Sequence, residues 1–352
     1  MSIDDSYGFP IGQDSRYTHY VPMKLPIAAF LLAGCAWAAA CTDVSKCTEW
    51  VALHEGSWRS RIYTTYPLDA PNPAITRAFV MVHGTNRDAG NYFRTALAAA
   101  FLAGALDNTI VIAPHIASAS GSCQDQLERN EVSYSCGGDS WRSGGTSASS
   151  DKVTSFDFVD QILRKVADRR NFPNLKAIVV AGHSAGGQFV NRYSMANRVH
   201  DKLGVPVSYI VANPSSYAYL DAMRPRGETG EFRSFSDARN CTTFNNWPYG
   251  LDNRSGGYTA RESDDHLIKQ LAARPVTYLL GEIDILPLGG FDGSCPAMAQ
   301  GATRLARGQA FSKYVNQKFG ARHKMVIVPL CGHNARCMFT SEPALEIAFP
   351  RE

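Results

Sequence analysis

Residues 182–186, with the sequence GHSAG, have the pattern of a turn that presents a nucleophilic serine. An apolar, β-branched-rich run at 177–181 precedes them, and a stretch with helical character follows. A sharp strand-to-helix turn lifts a serine hydroxyl clear of a sheet, and its glycines remove side chains where strand and helix approach closely. The helix N-terminus adds free N–H groups and the positive end of a dipole. We therefore predict that Ser184 is a catalytic nucleophile.

A serine hydroxyl is a weak nucleophile near neutral pH, so it needs a base, and the base needs an orienting acid. Two later segments supply these groups in the order acid then histidine, each after an apolar run that predicts a strand. The sequence EID follows residues 276–281, and LCGH follows residues 324–329. We predict Asp284 as the acid and His333 as the base. The alternatives for the acid in the same loop are Glu282 and Asp292.

The negative charge that develops during attack on a carbonyl needs preorganised N–H donors, worth about 3 kcal/mol each. One donor is predicted at the residue after the nucleophile, Ala185. A second is predicted in the turn HGTNR at residues 83–87, which follows an early apolar run, and there we favour the N–H of Thr85. His83 is expected to brace this turn and to take no part in the chemistry. The alternative donors in the turn are Gly84 and Asn86.

Six short apolar runs predict the strands that position these side chains. Each run is β-branched-rich and nearly continuous in apolar residues, which is typical of strands buried on both faces of a parallel sheet. Helical patterns alternate with the runs, and this order predicts a mostly parallel, doubly wound α/β sheet with helices on both faces. The predicted strands are 78–83, 109–114, 177–182, 207–212, 276–281 and 324–329, with an early antiparallel strand at 59–66; the predicted helices are 92–103, 155–169, 186–198 and 303–319.

Residues 221–268 interrupt this alternation and are rich in Arg, Asp, Asn and aromatic side chains. We predict that these residues form a cap-like insertion, or a long excursion that packs beside the sheet, and not an independent domain. Ligands of open α/β sheets bind at the carboxyl ends of the strands, so loop residues at that edge are candidates for a substrate pocket. The candidates are His115, Trp141 and Tyr217.

An uncharged run at residues 25–40 follows Lys24 and ends in small residues. This pattern is typical of a secretory signal peptide, and the run is short for a membrane span, which needs ~20 apolar residues. We expect residues 1–40 to be an export signal, with residues 1–22 an over-extended start. Cleavage by signal peptidase near residue 40 and lipidation of Cys35, in the lipobox-like sequence LAGC, are both open. The expected location is periplasmic, extracellular or, through that lipid anchor alone, at the outer membrane of a bacterium.

The chain has nine cysteines, and loss or lipidation of Cys35 leaves eight. An even set in an exported chain predicts up to four disulfides, although spacing does not determine their connectivity. A disulfide between the two cysteines that flank His333 in the sequence would hold that side chain in a fixed loop. Proximity in sequence favours the pairs Cys331–Cys337, Cys123–Cys136 and Cys41–Cys47, with Cys241–Cys295 by remainder.

The composition excludes several classes of protein. Hydrophobic residues make up 45% of the 352 residues and charged residues 19%, which is too apolar for a disordered chain and sufficient for a sizeable core. A formal net charge of +3 gives no case for a nucleic-acid partner, which needs a clustered basic face. No Cys-x-x-Cys or paired Cys and His spacing indicates a metal, and we expect none.

Together these motifs resemble the α/β-hydrolase superfamily, and within it exported bacterial serine esterases and depolymerase-like hydrolases. The resemblance rests on HGTNRDAGNYF at 83–93, GHSAGG at 182–187, GEIDILP at 281–287 and CGHNARC at 331–337. It implies a single α/β-hydrolase domain over residues 41–352 that cleaves carboxylic esters, small or polymeric, through an acyl-enzyme without a cofactor. The alternatives are a peptidase or amidase with the same triad, and a catalytically silent binding protein on the same scaffold.

Overall fold

The computed structural model describes residues 39–137, 140–227, 230–254 and 257–350. Nearly all of the expected export signal, including Cys35, lies outside these ranges. Among the residues described, no helix combines the length and the apolar character that a membrane crossing requires.

The strands of the described residues are β1 (Thr48–Leu53), β2 (Trp58–Thr64), β3 (Arg77–Val82), β4 (Thr109–Pro114), β5 (Ala177–His183), β6 (Val207–Ala212), β7 (Met223–Pro225), β8 (Phe232–Ser234), β9 (Val276–Gly281) and β10 (Lys324–Val328). Eight of them form a central sheet, in the order β1-β2-β4-β3-β5-β6-β9-β10. The first two strands form an antiparallel hairpin whose second strand pairs antiparallel with β4, and every later pairing in this sheet is parallel. A separate two-stranded hairpin is made by β7 and β8.

Helices cover both faces of the sheet, as the continuous apolar runs predict. They are α1 (Ala89–Leu102), α2 (Ser155–Val166), α3 (Ala185–Ala196), α4 (Asp264–Ala273), α5 (Cys295–Met298), α6 (Arg304–Phe319), α7 (Ala335–Phe339) and α8 (Glu342–Ala348). Along β3, Ala78, Val80 and Val82 belong to one hydrophobic cluster, whereas Phe79 and Met81 belong to the other. The first cluster includes side chains of α2, α3, α4 and α6, and the second those of α1, α7 and α8.

The predicted strands and helices are all present, and their ends differ from the predicted ends by at most three residues. Local capping fixes several of these ends. Helix α2 begins where Thr154 and Asp157 cap each other's backbone N–H groups, and α6 begins where the Thr303 side chain accepts from the N–H of Ala306. Helix α6 ends at Gly320, which adopts a left-handed conformation.

The excursion at 221–268 packs beside the sheet, against α3 and the loop that precedes α2. Its Trp247 indole donates to the carbonyl of Ser143 at 3.2 Å, and the Tyr258 N–H donates to Gly144 at 2.8 Å. From α3, the Arg192 guanidinium donates to the carbonyl of Pro248 at 3.1 Å. These contacts join the excursion to the main core.

The structure brings the eight cysteines of the described region into the four pairs that are predicted from the sequence. The Cα atoms of the pairs are 5.6 to 5.9 Å apart, within the usual range for a disulfide. Three of the pairs close short loops, and the fourth ties the excursion to α5. The pairs are Cys41–Cys47, Cys123–Cys136, Cys241–Cys295 and Cys331–Cys337.

A carboxyl group is buried where α2, α3 and the excursion meet. Asp160 is 1% exposed and accepts hydrogen bonds from Tyr193 at 2.8 Å and Tyr258 at 2.7 Å. The Arg164 guanidinium lies 3.6 Å away. Burial raises the pKa of Asp160 to about 6, despite these bonds, which oppose the shift.

Because the pKa of Asp160 is higher in the folded chain, the folded state binds more protons than the unfolded state between pH 3.8 and about 6. The contribution of this carboxyl to stability therefore falls as pH rises through that window, by at most about 3 kcal/mol for two pKa units. We expect the Tm of the wild type, relative to Asp160→Asn, to decrease as pH rises from 4 to 6.5 in thermal unfolding. A constant difference between the two proteins over this pH range would contradict the prediction.

Candidate active site

Ser184 lies in the turn between β5 and α3, with φ 58° and ψ −119°. This is a conformation that side chains other than glycine rarely adopt, and such strain is typical of functional sites. The turn is possible because the neighbouring backbones approach very closely. A Cβ atom on Gly182 would collide with the carbonyl of Gly186, and one on Gly186 would collide with the carbonyl of Val82. The two glycines of the motif are thus required by packing.

The carboxyl ends of β5, β9 and β10 bring the three predicted catalytic side chains together. The Ser184 Oγ is 2.9 Å from His333 Nε2, and His333 Nδ1 is 2.8 Å from Asp284 Oδ2. Asp284 is buried, whereas the His333 side chain is 13% exposed. The carboxylate is therefore shielded from solvent, and the imidazole is in contact with it. The order and spacing are those of a serine, a base and an orienting acid.

The two alternative acids make contacts elsewhere. The Glu282 carboxylate accepts from the N–H of Leu330 at 2.9 Å. The Asp292 carboxylate accepts from Tyr249 at 2.8 Å and from the N–H of Ser294 at 3.0 Å. Of the three candidates, Asp284 is the one that the structure places against the imidazole.

A buried arginine behind the acid is absent from the sequence-based prediction. Arg304, the first residue of α6, is 1% exposed, and its Nη1 lies 3.5 Å from Asp284 Oδ1. It also donates to Ser215 Oγ at 2.8 Å and to the carbonyl of Gly289 at 2.9 Å. Burial lowers the pKa of the Arg304 guanidinium and Asp284 opposes that shift. The cation therefore holds the free oxygen of Asp284 and the loop that continues from it.

We predict that Arg304 is a positioning residue. Arg304→Met should lower kcat/KM for an ester about tenfold, the effect of roughly 1.4 kcal/mol of lost transition-state stabilisation. It should also move the acidic limb of the pH–kcat/KM profile to higher pH, because losing a nearby cation makes protonation of the Asp284–His333 pair easier. Arg304→Lys should restore the profile in part.

The matched control is Arg307→Met, one turn along the same helix. Arg307 is also fully buried, but it binds the carbonyls of Ser215, Gly301 and Asp292 and makes no contact with Asp284. It should lower the Tm without moving the pH profile. If both variants lower the Tm and neither moves the profile, Arg304 has only a structural role.

The predicted oxyanion donors lie in the turn at 83–87 and directly after the serine in the sequence. Thr85 lines the cavity that contains the serine, as do its alternatives Gly84 and Asn86, and Ala185 is the first residue of α3. No acceptor in the described part of the chain engages the N–H of Thr85 or of Ala185. Both donors are therefore free to bind an oxyanion, the requirement that the developing charge imposes.

His83 braces the turn that carries Thr85, as expected. Its Nε2 accepts from the N–H of Ile116 at 3.1 Å, so the proton is on Nδ1, which donates to the carbonyl of Gly84 at 2.9 Å. Burial lowers the pKa of His83 to about 3, so the ring is neutral. The Arg87 guanidinium adds a bond to the carbonyl of Ile116 at 2.6 Å.

His183 is also buried and neutral, and it packs beneath the base. Its ring centroid is 4.6 Å from that of His333, and its Nδ1 is 3.2 Å from the Tyr92 hydroxyl. Burial lowers the pKa of His183 well below its ordinary value, and the nearby His333 and Arg304 add to that shift. A second charge beside the base is thereby avoided.

The three predicted pocket residues do not line the cavity. Trp141 is 2% exposed because its loop folds onto α3, where the indole packs near His83 and Phe189. Tyr217 is fully buried, with its ring centroid 4.6 Å from that of Phe311. His115 is half-buried, and its Nε2 lies 3.9 Å from Asp125. A position after the carboxyl end of a strand places a residue at the correct edge of the sheet. It does not determine whether the side chain points into the core or toward the cavity.

The cavity that contains Ser184 has a volume of about 560 Å³. Its walls come from residues within 84–95, from 289–290 and from 333–336. None of the residues described for the excursion at 221–268 lines it. Gly289 and Gly290 both have positive φ, and a Cβ on Gly290 would lie 3.4 Å from the Thr85 methyl group, so this loop passes close to the oxyanion turn.

Residues 79–348 match the alpha/beta hydrolase family. The match covers well over half of the chain, so the chain belongs to this family. No curated protein sequence matches it significantly. Its sheet and helices also confirm the predicted fold.

Two solved structures illustrate that fold. The poly(3-hydroxybutyrate) depolymerase LpqC from Bordetella parapertussis superposes with a TM-score of 0.55 at 21% identity, over 84% of this chain and 85% of that chain. Poly(aspartic acid) hydrolase-1 from Sphingomonas sp. KT-1 superposes with a TM-score of 0.55 at 20% identity, over 86% of this chain and 98% of that chain. At these identities the similarity shows a shared fold.

Proposed function

We propose that the chain is an exported serine hydrolase that cleaves carboxylic esters through an acyl-enzyme. The observation that carries the proposal is the unbroken hydrogen-bond chain from Ser184 Oγ through His333 to Asp284, at 2.9 and 2.8 Å. The family is that of the alpha/beta hydrolases, and the order of the three groups along the chain is the order found on this fold.

In the acylation step, Ser184 Oγ attacks the ester carbonyl while its proton passes to His333 Nε2. Asp284 keeps the other nitrogen protonated and stabilises the imidazolium that forms. The N–H groups of Thr85 and Ala185 bind the oxyanion of the tetrahedral intermediate. When the intermediate collapses, the bond to the alcohol breaks, and His333 returns the proton to the leaving oxygen.

In the deacylation step, water takes the place of the alcohol. His333 removes a proton from the water as it attacks the acyl carbonyl, and the same N–H groups bind the second oxyanion. Collapse releases the carboxylic acid, and the proton held by His333 returns to Ser184 Oγ. The cycle consumes one water for each ester and restores the starting state.

Two further observations bear on substrate and location. The two structural neighbours act, by their names, on poly(3-hydroxybutyrate) and poly(aspartic acid), which supports a polymeric or oligomeric substrate as one option beside small esters. The four cysteine pairs support folding in an oxidising compartment, in agreement with the expected export signal.

The direct test is hydrolysis of 4-nitrophenyl acetate, butyrate and octanoate by wild type and by Ser184→Ala. We expect the wild type to hydrolyse at least one of these esters, and the variant to lose activity by about 10⁴-fold or more, the usual effect of removing a triad nucleophile. Ser57→Ala, at an exposed serine outside the cavity, should match the wild type.

An amide panel separates the alternatives. If 4-nitroanilides of the same acids are cleaved as fast as the esters, the protein is an amidase or peptidase. If the wild type turns over neither class, or if Ser184→Ala retains the activity, the proposed function is wrong.

A further inference from the structure

Two arginines line the cavity that contains Ser184, and neither takes part in the chemistry proposed above. Arg94 lies on α1 and Arg336 on α7, so the two cations come from separate helices that meet at the mouth of the site. Both side chains are exposed. Within the described residues, neither guanidinium has a carboxylate within ion-pair distance, although Arg94 donates to the Asn91 side chain at 2.8 Å.

Among the described residues, the acidic groups near these arginines form no ion pair with them. Asp88 is the one carboxylate among the described residues that line the cavity, and it is 3.2 Å from the Asn91 amide. The charge of Arg94 contributes to lowering the pKa of Asp43, but the Asp43 carboxylate accepts its hydrogen bonds from Ser45 and Lys46. Asp284 lies behind His333, buried and matched by Arg304. The wall of the cavity therefore carries an excess of positive charge.

A guanidinium presents N–H donors in a planar fork that matches a carboxylate, so unpaired arginines in a substrate cavity favour an anionic ligand. Asn334 and Asn86, which also line the cavity, add polar groups that suit a hydrated anion.

We propose that Arg94 and Arg336 select esters that carry a carboxylate away from the scissile bond. The chemical class includes half-esters of dicarboxylic acids and short hydroxy-acid oligomers, whose chain ends in a free acid. This inference rests on the proposed function, because it assigns the substrate class of the same site. The two arginines are specificity-determining residues, since they contact the substrate at a distance from the reacting carbonyl.

The test compares pairs of substrates that are similar in size and shape and differ in charge. One pair is the 4-nitrophenyl half-ester of adipic acid and the analogue in which a carboxamide replaces the free carboxylate. A second pair, 4-carboxyphenyl and 4-carbamoylphenyl butyrate, places the charge on the alcohol side. For each pair we define the charge preference as the ratio of kcat/KM for the anionic ester to that for the neutral one.

We expect the wild type to prefer the anionic member of at least one pair, mainly through a lower KM. Arg94→Gln and Arg336→Gln should each reduce this preference, and the double variant should reduce it about tenfold, since two exposed charge contacts contribute a few-fold each. Raising the salt concentration from 0.02 to 0.5 M should reduce the preference of the wild type more than that of the double variant, because salt screens exposed charges.

The matched control is Arg322→Gln, an exposed arginine just before the amino end of β10, at the edge of the sheet opposite the site. It removes the same charge and should leave the preference unchanged. The inference is overturned if the wild type cleaves the neutral esters through Ser184 but shows no preference for charge in either pair, or if the double variant keeps that preference. Failure to cleave any ester contradicts the proposed function instead.

Discussion

The close approach of β5 and α3 at Ser184 is the constraint on which the site depends. Gly182 and Gly186 exist as glycines because the backbones of β5, α3 and β3 leave no room for a Cβ atom. That crowding holds Ser184 at φ 58° and aims its hydroxyl at the carboxyl edge of the sheet. Because the parallel strands all end at this edge, Asp284, His333 and the turn at 83–87 are brought to the same place.

The charged and titratable groups of the site differ in how deeply they are buried. The innermost ion pair, Arg304 with Asp284, is dry, so the acid has both a cation and the imidazole as partners. His83 and His183 stay neutral because burial disfavours their charged forms, which leaves His333 as the histidine of the site that reaches solvent. The outermost cations are exposed at the mouth of the cavity.

The strands, and the meeting of Ser184, Asp284 and His333 at one edge of the sheet, could be predicted from the sequence because strand ends are local signals. Buried parallel strands are continuous apolar runs, and the residues that follow them at one edge must meet. Arg304 could not be predicted, since no strand end or motif marks it, and its contact with Asp284 depends on how α6 enters the fold. Trp141 and Tyr217 are predicted in the pocket because each follows a strand end. The path of each loop, which is set by packing on α3 and α6, turns the ring into the core instead.

The central claim is that ester cleavage proceeds through a covalent bond to Ser184. Rapid mixing of the protein with 4-nitrophenyl acetate, followed by intact-mass and peptide analysis, tests it most directly. We predict a burst of nitrophenolate stoichiometric with protein and one acetyl group carried by the peptide that contains Ser184. Turnover with no acetylated intermediate, with the acetyl group on another residue, or with the same burst in Ser184→Ala would contradict the claim.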